Sequence, residues 1–204
     1  MVLEQLLARK ISSREVLKAM EEIPRHLFVD QGLAAKAYDD GPLPIGYGQT
    51  ISQPYMVAMM TQALELSPND RVLEIGSGCG YQTAVLASIC REVYSIERLE
   101  PLLTQSLNVL KSLGYNNVTL KLGDGQVGWP QKAPFNAVLV AAYAERTPKD
   151  LVDQLAPGGH LVIPLGAEDS QLLVLTTKNL DGSFTRKTLL GCRFVPLVSE
   201  RVKV

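Results

Sequence analysis

The chain has 204 residues, with 20 Lys and Arg against 21 Asp and Glu, a formal net charge of −1. Hydrophobic residues make up 46% and charged residues 20%, which excludes a disordered chain unable to offset its ordering entropy. Sixteen Gly and 12 Pro without a three-residue period exclude collagen, and near-neutral charge with no basic stripe excludes nucleic-acid binding by broad phosphate neutralisation.

From the N-terminus, Met1 to Lys10 carries Glu4 and lacks the apolar core of a signal peptide. Ser12-Ser13-Arg14-Glu15 has the capping-box pattern, and Val16, Met20 and Ile23 follow at helical spacing, which predicts a helix. The stretch from Asp39 to Gly48 is too rich in Gly and Pro for regular helix. A second helix is expected at Ser52, with Ser52 as N-cap, Pro54 in the first turn, and Val57, Met60 and Leu64 on one face.

Beyond residue 70, short runs rich in Val, Ile and Leu at 71–75, 92–96, 118–122, 135–140 and 160–164 alternate with helical segments at 81–89, 100–113 and 148–155. Such alternation predicts a parallel sheet covered on both faces. The densest apolar run, Ala137 to Ala144, is far too short to cross a bilayer. Residues 171–178 and 184–195 read as strands around the hairpin signal Asn179-Leu180-Asp181-Gly182, so the sheet is expected to end in an antiparallel pair. The expected organisation is one α/β domain, with 1–69 as a helical and lid segment and 70–204 as the core. Cys79, Cys90 and Cys192 form no CxxC pair, so neither a disulfide framework nor a metal site is expected, and the chain reads as soluble and cytoplasmic.

The first strand runs directly into Gly76-Ser77-Gly78-Cys79-Gly80, and a helix follows. Glycines there let the backbone turn sharply and approach a ligand, while the helix presents free N–H groups. The spacing is not the dinucleotide fingerprint, and Glu74 just before the turn would repel a pyrophosphate. A ligand with an amino group and no phosphate fits better, and S-adenosylmethionine is such a ligand. Glu97 ends the second strand, placed to accept hydrogen bonds from both ribose hydroxyls. Asp124, in Gly123-Asp124-Gly125 after the third strand, is placed to meet an adenine amino group. Any one of these acids could be a solvated loop carboxylate; three at successive strand ends favour a cofactor site. Cys79 reads as a small filler, and His26 and His160 as structural.

With Gly46-Tyr47-Gly48-Gln49-Thr50-Ile51-Ser52-Gln53-Pro54-Tyr55 upstream of that turn, the chain strongly resembles the protein-L-isoaspartate (D-aspartate) O-methyltransferases. The match also takes in Pro24-Arg25-His26-Leu27-Phe28-Val29, Leu43-Pro44-Ile45-Gly46, Ala133-Pro134-Phe135, Leu155-Ala156-Pro157-Gly158-Gly159 and Arg193-Phe194-Val195-Pro196-Leu197. The resemblance implies a class I S-adenosylmethionine-dependent methyltransferase fold, Rossmann-like, with a mostly parallel sheet, C-terminal antiparallel strands and an N-terminal helical segment. It implies methyl transfer from S-adenosylmethionine, leaving S-adenosylhomocysteine, to the α-carboxylate of L-isoaspartyl and D-aspartyl residues in damaged proteins, with no metal. The ester would then cyclise to a succinimide, whose hydrolysis partly restores aspartate. Implied partners are damaged proteins and peptides, not nucleic acid or membrane, met by a monomer.

Ser52 matches the family's assigned active-site serine, and as an N-cap it would stand where free helix N–H groups favour an anion. The site expected on these grounds places Gln49, Thr50, Glu74, Gly76, Ser77, Gly78, Gly80, Glu97, Asp124 and Gly125 around the cofactor. Ile51, Ser52, Val195, Pro196, Leu197 and Val198 would face the substrate, an extended peptide pairing like a strand along the last four. The stretch from Asp39 to Thr50 would close over the cofactor, with Gly46 and Gly48 as hinges. Asn136, Tyr143 and Val198 depart from the usual pattern and leave open the local pocket shape. Competing functions are a methyltransferase acting on RNA or a small molecule, a nicotinamide oxidoreductase, and a non-catalytic cofactor-binding sensor.

Overall fold

The structure is a computed structural model that describes residues 1–199. Short helical turns lead into α1 (Arg14–Glu22), whose cap is Ser13, one residue later than the sequence pattern suggested. The Ser13 hydroxyl accepts the Val16 N–H, because Gln62 Oε1 reaches back to take the backbone N–H groups of both Ser12 and Ser13, at 2.7 and 2.9 Å. The Gly- and Pro-rich stretch forms a hairpin, β1 (Leu43–Gly46) and β2 (Gln49–Ile51). Its turn holds three consecutive residues at positive φ: Gly46 at 88°, Tyr47 at 54° and Gly48 at 69°. Two glycines make that turn affordable.

α2 (Pro54–Ala63) follows, capped by Gln53 rather than Ser52. Pro54 sits at the first helical position, where no N–H is needed, and that fixes the boundary one residue later than expected. The α/β part comprises β3 (Arg71–Ile75), α3 (Tyr81–Ala87), β4 (Glu92–Glu97), α4 (Glu100–Ser112), β5 (Val118–Leu122), β6 (Phe135–Val140), α5 (Lys149–Asp153), β7 (Leu155–Ala167), β8 (Ser170–Lys178) and β9 (Phe184–Cys192). They build a seven-stranded sheet in the order β5-β4-β3-β6-β7-β8-β9. Pairings from β5 to β7 are parallel, and β7-β8 and β8-β9 are antiparallel.

The start of β7 and the end of β9 differ most clearly from the sequence expectation. β7 begins at Leu155, which pairs with Phe135, and so α5 stops at Asp153. β9 ends at Cys192 because the backbone of Phe194 bonds the Gln171 side chain instead of a neighbouring strand. The β-branched and leucine positions of β3, β4 and β6 are buried on both faces, as central parallel strands require. On one side, Leu6, Ile11, Val16, Met20 and Phe28 of the N-terminal arm pack with Tyr81, Ala84, Val85 and Leu110. Each such side chain contributes about 1.5–3 kcal/mol when fully buried. Among the described residues, no helix is long and apolar enough to cross a membrane.

Candidate active site

A cavity of about 690 Å³ opens at the carboxyl ends of β3, β4 and β6, with the β1–β2 hairpin on its rim. It sits where strand order reverses around β3, the crevice in which open α/β sheets place their ligands. The glycine turn forms one wall, with Gly76 at φ 90° and Gly78 at φ 52°. Gly80, at φ 91°, caps α3 behind that wall, and a Cβ there would lie 3.1 Å from Ser106 Cβ. The Ser77 side chain is 4% exposed and its hydroxyl has no partner, so a buried donor points into a ligand-sized space.

Glu97, the last residue of β4, lines the same wall. Its Oε2 accepts the Gly78 N–H at 2.9 Å, and its Oε1 accepts those of Arg98 and Leu99 at 2.8 and 2.9 Å. Three backbone donors fix the carboxylate and leave lone pairs for a further hydroxyl. Gly123 and Gly125 approach from the end of β5, where a Cβ on Gly125 would stand 2.2 Å from Ile75 Cγ2. Gln49, Thr50, Ile51 and Ser52 line the side nearest the hairpin, and Ile45 reaches over Gly78.

Two of the three expected acids stand elsewhere. Glu74 is fully buried beneath the turn and off the cavity wall. Its Oε2 accepts the hydroxyls of Thr83 and Ser95 at 2.5 and 2.6 Å, tying β3 to α3 and β4. Alternation along β3 turns its side chain to the face opposite Leu73 and Ile75, the face covered by α3. Burial pushes its carboxyl up to about 7, against the pull of those two hydroxyls. Asp124 caps its own turn through the Gln126 N–H at 2.8 Å and receives the Ser199 hydroxyl at 2.9 Å. Its glycine neighbours line the cavity; its carboxylate does not.

Val195, Pro196, Leu197 and Val198 line the same cavity as Ser52. One edge of this segment is already paired: Tyr143 N–H donates to the Val195 carbonyl at 2.8 Å, and Leu197 N–H to the Tyr143 carbonyl at 2.7 Å. Gln126 Nε2 donates to the Leu197 carbonyl at 3.0 Å. By strand alternation the Pro196 carbonyl and the Val198 amide face the other edge. Tyr143 thus shapes the pocket by holding this segment, and Val198 lines it directly. Asn136 accepts the Arg71 N–H at the start of β3, the end of the sheet away from the cavity.

Several neighbours of the site were not anticipated from the sequence. Arg25, in a short turn of the N-terminal arm, is fully buried. It donates from Nη2 to the Ser52 carbonyl at 2.7 Å and from Nε to the Ala37 carbonyl at 2.6 Å. Burial lowers its pKa, yet a guanidinium stays charged. Met56 and Met60 of α2, Cys192 at the end of β9, and Arg193 and Phe194 beyond it also line the cavity; nothing local in sequence ties them to the glycine turn. Neither histidine lines the cavity: His26 Nδ1 bonds the Tyr38 hydroxyl and His160 Nδ1 the Thr177 hydroxyl. Burial pushes the Cys79 thiol up to about 11, so it is neutral. Among the described residues no three His, Cys, Asp or Glu side chains gather as a metal site.

The family model for protein-L-isoaspartate(D-aspartate) O-methyltransferases matches residues 1–202. A protein-L-isoaspartate O-methyltransferase from Trichlorobacter lovleyi is 54% identical over 201 residues, 98% of this chain and 93% of the relative. A solved structure of that name superposes with a TM-score of 0.87 at 27% identity, covering 98% of this chain, which spans 66% of it. A Plasmodium falciparum structure, described as such a methyltransferase in complex with S-adenosyl-L-homocysteine, gives a TM-score of 0.84 at 29% identity, covering 98% of this chain and 97% of its own. The sheet order and the terminal antiparallel strands are those of the class I S-adenosylmethionine-dependent methyltransferase fold. By whole-length sequence match and by fold alike, the chain belongs to the protein-L-isoaspartate(D-aspartate) O-methyltransferase family.

Proposed function

We propose that the glycine-turn wall of the cavity holds the cofactor and that Ser52, with the segment from Val195 to Val198, holds the substrate. The reaction is transfer of a methyl group from S-adenosylmethionine to the α-carboxylate of L-isoaspartyl residues in damaged proteins. One observation carries the division of roles: a single cavity joins Ser52 and Val195–Val198 to Ser77, Gly78 and Glu97.

S-Adenosylmethionine, when bound, supplies an electrophilic methyl group on a sulfonium. The residues present fit it. The Ser77 hydroxyl is a donor without use in the fold, and Glu97 is a fixed acceptor suited to a ribose hydroxyl. The nucleophile is a carboxylate with a solution pKa of about 4, already ionised at neutral pH, so no general base is required. This accounts for a cavity whose two thiols, Cys79 and Cys192, are neutral and which neither histidine lines. What remains is alignment and exclusion of water. In this reading the Ser52 hydroxyl and the first-turn N–H groups of α2 hold one carboxylate oxygen while the other attacks.

Substrate recognition rests on backbone: an extended peptide pairs with the Pro196 carbonyl and the Val198 amide, which suits a lesion arising in many sequences. Gln49 and Thr50 of the hairpin contribute hydrogen bonds over the cofactor. The chain acts as one domain and as a monomer. The shared core of the N-terminal arm with α3 and α4 supports the first. A net charge of −1 supports polypeptide partners of either sign rather than nucleic acid or membrane, and three free cysteines support a cytoplasmic setting.

The test is labelled methyl transfer from S-adenosylmethionine to matched isoaspartyl and aspartyl peptides. The expected result is base-labile label on the isoaspartyl peptide alone; cofactor binding without transfer refutes the assignment. Ser52→Ala is expected to lower kcat/KM about tenfold or more at unchanged cofactor affinity. Because Ser52 does not cap α2, stability is expected to stay within about 0.5 kcal/mol. Wild-type turnover in this variant would remove Ser52 from the mechanism.

A further inference from the structure

We infer that Arg25 is a positioning residue for the substrate carboxylate, acting on it through Ser52. The inference rests on the assignment of Ser52 to the substrate. Arg25 is the largest fully buried side chain, and among the described residues no carboxylate pairs with it. A buried cation without a counter-charge is costly, and hydrogen bonds to carbonyls offset that cost only in part. Its partners are the Ala37 and Ser52 carbonyls and the face of the Tyr81 ring, 4.7 Å from the guanidinium carbon. Nη1 is buried with no partner at all.

These contacts converge on the cavity from behind. Ser52 and Tyr81 both line it, and Tyr81 is the first residue of α3, directly after the glycine turn. One side chain therefore links the backbone that presents the Ser52 hydroxyl to the start of the cofactor helix. The planar fork suits this: Nε and Nη2 reach two carbonyls at once while the flat face rests on the ring. A carboxylate held at Ser52 would lie on the cavity side of a charge that the fold leaves unbalanced. The arrangement accounts for a guanidinium where an apolar side chain of equal volume would otherwise be the less costly choice.

Two variants separate positioning and charge from mere packing. Arg25→Met removes the charge, and Arg25→Lys keeps it but cannot reach both carbonyls and the ring. The readouts are S-adenosylhomocysteine affinity and the ratio of affinities for an isoaspartyl peptide and its α-carboxamide analogue. Steady-state kcat and KM complete the set. Arg25→Met is expected to bind S-adenosylhomocysteine within about twofold of the wild type while the carboxylate-to-carboxamide ratio falls about tenfold. Arg25→Lys is expected to keep most of that ratio and lose about tenfold in kcat, and to lose much less when combined with Ser52→Ala.

An unchanged ratio in Arg25→Met overturns the inference, as does a parallel loss of cofactor and of both peptides, which would mark a structural role. Should Arg25→Met fail to bind cofactor for want of folding, Arg25→Lys decides: wild-type kcat, or a loss undiminished in the Ser52→Ala background, overturns it. If Ser52→Ala alone turns over normally, the Ser52 assignment fails and this inference with it; the expected loss in Ser52→Ala beside an unchanged ratio in Arg25→Met overturns the inference alone.

Discussion

The proposed cofactor wall and the proposed substrate wall of one cavity are built by different means. On the cofactor wall, Gly76, Ser77, Gly78, Glu97, Gly123, Gly125 and Ala141 all lie within three residues of a strand end in the central sheet. Their positions follow from the ladder itself. On the substrate wall, Ser52 and Val195–Val198 lie outside that sheet. They are held by single side chains and one bridge from distant sequence: Arg25 on the Ser52 carbonyl, Gln126 on Leu197, Gln171 on Phe194, and the Tyr143 backbone. A wall set by the sheet is hard to move and easy to recognise; a wall set by a few long-range bonds can be loosened one bond at a time. Mutations should therefore divide into those that act on the cofactor and those that act on the peptide.

The largest effect is expected at Glu97. Its two oxygens serve three backbone N–H groups, whereas a glutamine offers one acceptor oxygen and turns a donor toward the rest. Charge-assisted bonds of this kind contribute about 1.5–3 kcal/mol each, so Glu97→Gln is expected to weaken S-adenosylhomocysteine binding about 100-fold. Peptide KM measured at saturating cofactor should change little. Calorimetric titration showing a loss under threefold would mean the cofactor wall is not fixed as described.

Glu74 tests the frame beneath that wall. Its folded carboxyl titrates near 7 against an ordinary value of 4.5, so between these the folded state binds more protons than the unfolded one. Stability from this group is thus complete below about pH 4.5 and is lost as pH rises through 7, a change of about 3 kcal/mol. Glu74→Gln keeps the shape and an acceptor for Thr83 and Ser95 but removes the titration. Denaturant midpoints at pH 5 and pH 8 should therefore fall further in the wild type than in the variant. Equal changes in the two proteins would show that Glu74 does not titrate as its burial dictates.

The same contrast explains what could be read from the sequence. Strands and the glycine turn carry local signals, since apolar runs and Gly spacing reflect burial and backbone conformation within a few residues. β3, β5 and β6 coincide with the runs at 71–75, 118–122 and 135–140. The roles of Glu74 and Asp124 were less legible. A carboxylate at a strand end reads alike whether it faces a ligand or, as with Glu74, the hydroxyls of Thr83 and Ser95. Ser52 has the composition of an N-cap, yet Pro54 shifts the helix start by one residue, and Ser52 lines the cavity without capping α2. Arg25 carries no local signal at all, because its partners lie 12 and 27 residues away and are carbonyls, which every residue has.

Gly125 lies where the two walls meet. A Cβ there would stand 2.2 Å from Ile75 Cγ2 and 3.7 Å from Leu197 Cδ1. Ile75 is β-branched and fully packed, so it cannot swing aside, and overpacking of this kind costs about 1–3 kcal/mol. Gly125→Ala is expected to lower stability by that amount and, unlike Glu97→Gln, to move both cofactor affinity and peptide KM. A variant in which only one of the two moved would place Gly125 on one wall rather than at the join.

The smallest and most selective effect is expected at Gln126. Its Nε2 donates to the Leu197 carbonyl at 3.0 Å, while its backbone N–H is held separately by Asp124, so the turn does not depend on the side chain. Gln126→Leu keeps the volume and removes that bond, worth about 1 kcal/mol. The segment from Val195 to Val198 retains its pairing with Tyr143 but gains freedom at its C-terminal side, where Val198 would meet the peptide. Ordering it on binding then falls to the substrate, which raises peptide KM about fivefold and leaves cofactor affinity and kcat near wild type. A fall in cofactor affinity, or an unchanged KM, would show that the substrate wall is held as firmly as the cofactor wall and that the two do not differ in kind.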